Sequence, residues 1–70
     1  MPKLPALTAD EVIRVLLDNG FVLDHQRGSH RVYYNTATGK RAIVPYHRRD
    51  LPKGTLLAIL KQAGLSRDDL

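Results

Sequence analysis

The chain is 70 residues long with a formal charge of +4, a sequence pI of about 9.9 and no cysteine. That length holds one small domain with a modest core, and the missing cysteines exclude a disulfide framework or a thiolate metal site. No apolar run reaches membrane-spanning length and the opening MPKLPALTADE lacks the hydrophobic stretch of a secretory signal, so no membrane is expected and the composition fits a reduced, cytoplasmic setting.

Residues 1 to 7, with two prolines, read as an irregular lead-in. Thr8 then opens TADE, where Thr8 can cap the free N–H groups of a helix while Glu11 reaches back. Ala9, Val12, Ile13, Leu16 and Leu17 recur at helical spacing as one apolar face opposite Asp10, Arg14 and Asp18, and Asn19-Gly20 offers a left-handed exit. The spacing predicts a first helix over residues 9 to 18.

From Phe21 the period changes to two. Phe21 and Leu23 should point one way, Val22 and Asp24 the other, until Arg27-Gly28-Ser29 breaks the run. His30 to Asn35 is rich in β-formers, TATG turns the chain, and Lys40 to Pro45 carries Ile43 and Val44. Three consecutive antiparallel strands follow, the third ending at Pro45 or lying at an edge. In LPKGTLLAILKQAGL, Leu56, Ile59, Leu60 and Ala63 form a second helical face opposite Lys61 and Gln62, with Gly64 as the stop and either Pro52 or Thr55 at the start. The expected fold is α+β in the order α-β-β-β-α, a single domain over residues 1 to 70. Both helices should cover one face of the sheet and leave the other open. Double-stranded-RNA-binding domains share that order and read RNA by shape and phosphate.

Charge is unevenly placed along this chain. Arg27, Arg31, Lys40, Arg41, His47, Arg48, Arg49 and Lys53 fall between residues 27 and 53, while the acids concentrate before residue 25 and after residue 67. Such segregation favours an anionic partner. Arg48, Arg49 and Lys53 stand just before the second helix, whose N-terminal N–H groups and dipole attract phosphate, although a basic loop also serves plain solubility. His47 in that loop has the same two readings. Tyr33 and Tyr34 can stack on bases or pack within a sheet.

Three blocks, GSHRVYY, RAIVPYH and LPKGTLLAILKQAGLS, in this order and at these separations, resemble the HicA family of bacterial toxins, the RNA-cleaving halves of HicA–HicB toxin–antitoxin pairs. The resemblance runs from the first helix through Ser66. It implies a fold like that of double-stranded-RNA-binding domains, endonuclease activity on messenger RNA, and a HicB-like antitoxin that neutralises it. No cofactor is implied. By position, His30 matches the family's catalytic histidine, with Gly28 and Ser29 forming the turn before it, and His47 falls in the family's VPxH block. Many relatives carry a second histidine after the first, where this chain has Arg31.

Cleaving RNA without a metal takes a group that removes the 2′-OH proton, one that protonates the leaving 5′-oxygen, and positive charge around the phosphate. Histidine suits both proton steps near neutrality. Ser29 can donate to a phosphate oxygen, Gly28 lets the backbone approach, and Arg27, Arg31 and Arg41 can neutralise phosphates. Without the resemblance, His30 reads as a half-buried strand histidine, since it alternates with Val32, a residue suited to the core side. His25 reads as a strand residue near a turn, and no second proton-transfer group is apparent. Besides the nuclease, a non-catalytic RNA-binding module and a purely protein-binding domain fit the same segregated charge.

Overall fold

The computed structural model describes residues 4–70, so the first three positions of the lead-in lie outside the described residues. Its element order is α1 (Ala9–Asp18), β1 (Val22–Arg27), β2 (His30–Tyr34), β3 (Arg41–Pro45) and α2 (Lys53–Ala63). The expected α-β-β-β-α order is therefore present, with a three-stranded antiparallel sheet in the order β1-β2-β3. A short 3₁₀ turn at Arg67–Asp69 follows, which the helical spacing did not announce. Its signal is the tetrad SRDD: Ser66 accepts from the Asp68 N–H while the Asp69 carboxylate accepts from the Ser66 N–H.

The ends of α1 follow local chemistry. The Thr8 hydroxyl accepts the Glu11 N–H at 3.3 Å and the Glu11 carboxylate accepts the Thr8 N–H at 3.0 Å, a reciprocal cap that contributes about 1 kcal/mol. Ala9, Val12, Ile13 and Leu16 are buried as expected, but Leu17 stays 47 % exposed. The apolar stripe is one residue narrower than its spacing suggested. Helix α2 starts after Pro52 with no side-chain cap and stops at Gly64, whose φ of 70° is the left-handed exit.

One core joins the layers. Ala9, Val12, Ile13 and Leu16 of α1 meet Leu56, Ile59, Leu60 and Ala63 of α2 over Tyr33, Ala42 and Val44 of the sheet. Tyr33 pairs with Ala42, and Arg31 with Val44, so these four residues share the helix-covered face. The other face holds His30, Val32 and Tyr34 opposite Pro45, Ile43 and Arg41. Val32 was expected on the core side; it lies instead on the uncovered face and is buried only by its neighbours, because Tyr33 fills the core position.

Helix α2 also closes the sheet edge. The backbone N–H of Ile43 points away from β2 and donates to Oε1 of Gln62 at 3.0 Å. Gln62, expected to face solvent opposite the apolar stripe, thus occupies one of the unpaired donors that make an edge strand adhesive. Strand β1 receives no such cover from the described residues, and all six of its residues are exposed. At the opposite end of the hairpin, buried Asn35 braces the TATG turn: its Oδ1 accepts from Ala37 and Thr38, and its Nδ2 donates to the Asn19 carbonyl.

Candidate functional site

His30 is placed by a two-residue turn. Arg27 pairs with His30 across Gly28-Ser29, and Gly28 has a φ of 59° while Ser29 does not take positive φ. A positive first and negative second residue is the type II′ pattern, which glycine adopts without strain and which matches strand twist. The turn is then fastened to the end of β3, where the Tyr46 N–H donates to the Ser29 carbonyl at 2.7 Å. His30 therefore projects from a rigid corner onto the uncovered face of the sheet.

Next to that corner lies a groove of about 490 Å³. His30, Ile43 and Pro45 line its sheet side, and Gly54, Thr55, Ala58 and Gln62 its α2 side. Glycine at position 54 leaves the first turn of α2 open, with no atom within 4 Å of where a Cβ would stand. The groove thus runs along α2 from Gly54 to Gln62, and at its N-terminal end that helix has no acidic residue in its first turn. Such an end favours anions through its unpaired N–H groups.

The arginines separate into distinct environments. Arg27 shares the uncovered face with His30, its cross-strand partner, and is exposed. Arg41 sits at the far end of that face, where its guanidinium lies 4.6 Å from the Tyr34 ring centroid and donates to Oδ2 of Asp24 at 3.1 Å. Arg31 points the other way. It lies on the helix-covered face with its guanidinium 3.9 Å from the centroid of Tyr46, and its Nε is buried without a hydrogen-bond partner among the described residues. Tyr46 is in turn held by donating its hydroxyl proton to Asp10 of α1 at 3.1 Å, which raises its pKa above the ordinary tyrosine value. Arg31 acts as a brace between sheet and α1, and a residue at position 31 cannot stand beside the His30 ring.

The basic loop leaves this corner and is pinned at both ends. Tyr46 is tied to Ser29 and Asp10, while the Leu51 N–H donates to the Leu7 carbonyl at 2.7 Å and Asp50 bridges Thr8. Between those anchors His47, Arg48 and Arg49 are exposed, as is Lys53 at the start of α2. The turn, His30, the groove and the basic loop therefore meet at one end of the molecule, with Arg41 at the far end of the same sheet face and Arg31 on the opposite face.

Strand alternation concealed one feature. A bulge interrupts the β1–β2 ladder between Leu23 and His25. Val22 pairs with Tyr34 and His25 with Val32, so Val22 and His25 lie on the same face although they are three residues apart. An unbroken strand would have turned His25 toward the helices. The bulge also lets two adjacent side chains meet: Oδ2 of Asp24 lies 2.8 Å from Nδ1 of His25. The hydrogen bonds from His25 and Arg41 hold the Asp24 carboxyl below the usual carboxylate range.

No described helix is long and apolar enough to cross a membrane. Comparison with curated proteins gives no match. The family model for the HicA toxin of bacterial toxin–antitoxin systems, however, matches residues 9–65, a span that takes in both helices, the sheet, the GSH turn and the basic loop. The chain therefore belongs to the HicA toxin family.

Proposed function

We propose that the chain is the toxin of a toxin–antitoxin pair and a metal-independent endoribonuclease that cleaves messenger RNA, with His30 as a general acid/base group. The observation that carries this reading is the placement of His30. It stands at a rigid corner of the uncovered sheet face, beside Arg27 and facing a groove walled by α2 from Gly54 to Gln62. Imidazole exchanges protons near neutral pH, and neighbouring cations stabilise the extra charge that a phosphodiester gains as it is attacked.

Recognition is shared among the surrounding groups. Gly28 and Ser29 let the RNA backbone approach the turn, and His47, Arg48, Arg49 and Lys53 neutralise flanking phosphates from the pinned loop. These contacts carry no base information. Arg31, a candidate phosphate contact from sequence, instead supports the site by bracing the strand behind His30. A HicB-like antitoxin would inhibit by laying an acidic surface over His30 and the loop, masking the proton-transfer group and the RNA path together.

The test is cleavage of a labelled mRNA fragment in EDTA by the wild-type chain and by His30→Ala, paired with induction of each in a growing culture. Proton transfer by a positioned side chain contributes about 10²- to 10⁴-fold, so the variant should lose at least about 100-fold in rate and no longer arrest growth, with its thermal unfolding unchanged. A non-catalytic RNA-binding module would bind the fragment and leave it intact. Full cleavage by a folded His30→Ala chain would remove His30 from the chemistry.

A further inference from the structure

We propose that His25, held by Asp24, is the second proton-transfer group of the site and delivers the proton to the leaving 5′-oxygen. The inference rests on the nuclease reading above and names a residue that reading leaves out.

The argument begins with the two histidines' positions. His30 pairs with Arg27 and His25 pairs with Val32, so the two histidines are diagonal neighbours on adjacent strands and share the uncovered face. Diagonal pairs have Cα atoms about 7 to 8 Å apart, within reach of long or aromatic side chains. That separation suits one phosphodiester between them. In an in-line displacement the attacking and leaving oxygens stand on opposite sides of phosphorus, so the base and the acid must approach from opposite sides as well. Arg27 lies on the same face in the next position along β1, where it can meet the non-bridging oxygens.

The second part is the orientation of the ring. Asp24 holds Nδ1 of His25 at 2.8 Å, which leaves Nε2 for substrate, and the His25 side chain is 55 % exposed. His30 has no carboxylate partner among the described residues, so the carboxylate-held His25 is assigned the acid and His30 the base. Arg41 shares the Asp24 oxygen from β3. The charged or titratable groups on His25's own face are thus Asp24 and Arg27 on β1, His30 and Tyr34 on β2, and Arg41 on β3.

The step balances without a cofactor. His30 takes the 2′-OH proton, the 2′-oxygen bonds to phosphorus, the bond from phosphorus to the 5′-oxygen breaks, and the 5′-oxygen takes the proton from Nε2 of His25. The products are a 2′,3′-cyclic phosphate and a 5′-hydroxyl.

Two RNA substrates separate the roles, one ordinary and one with sulfur replacing the bridging 5′-oxygen at the cleavage site, since a thiolate leaves without being protonated. With both in EDTA, His25→Ala and His25→Gln should each lose about 100-fold or more on the ordinary RNA and recover to within about tenfold of wild type on the sulfur substrate. His30→Ala should stay inactive on both, and thermal unfolding of every variant should match wild type. Ordinary RNA cleaved by His25→Gln within threefold of the wild-type rate, or an equal loss on the two substrates, would overturn the role of His25 while leaving the nuclease standing. A wild-type chain inert on both substrates would overturn the nuclease reading and this assignment with it.

Discussion

Strands β1 and β3 flank the same central strand but live under different rules. Every residue of β1 is exposed and its edge is uncovered, whereas β3 buries Ala42 and Val44 completely and has its edge hydrogen-bonded by Gln62. Both helices pack on β3, and α2 does so most extensively. The difference teaches where each part of the molecule gets its order. Strand β3 is fixed by burial, which leaves few degrees of freedom for chemistry. Strand β1 is fixed by its ladder to β2 and by polar contacts, so it can present Asp24, His25 and Arg27 to a ligand without disturbing the core.

Stability should divide along that line. Leu56, 1 % exposed in α2, packs in the core beside β3's buried residues. Leu56→Ala should cost about 3 kcal/mol, within the usual range for a buried leucine, and in a domain this small that leaves little folded protein. Leu23 of β1 is 51 % exposed, and Leu23→Ala should change stability by less than about 1 kcal/mol. Urea unfolding of the two variants measures both. Equal losses would mean that β1 belongs to the core and would break the comparison.

The basic loop should affect binding and leave folding alone. Arg48, Arg49 and Lys53 are exposed cations. Replacing all three by alanine should weaken RNA binding across sequences and flatten the dependence of log K on log salt by about 2, at about 0.7 per phosphate contact for single strands. An unchanged slope would return the loop to a solubilising role.

The smallest effect concerns acid. Asp24 has a carboxyl pKa below its ordinary value of 3.8 because it accepts hydrogen bonds from His25 and Arg41. A depressed carboxylate contributes stability that is present above the unfolded value and is lost as pH falls through the folded one. The pairs are exposed and screened by water. Wild type and Asp24→Asn should therefore differ slightly in thermal midpoint at pH 6 and converge as pH falls through the lowered Asp24 value. A gap that persists in acid would assign the effect to something other than ionisation.

The contrast between the strands also marks what the sequence could announce. Periodicity places α1 and the buried stripe of α2, and Gly28-Ser29 places the turn, because each signal is local. The face of His25 escapes that logic. A bulge shifts the side-chain alternation by one residue, and β1 carries no glycine or proline to mark it. Val32 and Tyr33 were exchanged in the same way, since both favour strands and only the tertiary fit decides which fills the core. The charge of Arg31 is visible in sequence, while its stacking partner Tyr46 is a long-range neighbour that local pattern does not reveal.

The central claim is that the uncovered face beside His30, and not the helix-covered side, handles RNA. The most direct measurement is amide NMR of the wild-type chain during titration with a short RNA methylated at its 2′-oxygens, which has no nucleophile and stays intact. Shifts concentrated at residues 25 to 30, at 43 to 49 and at 53 to 55 are the expected result. Shifts confined to the exposed side of α1, with the hairpin unmoved, would contradict the account.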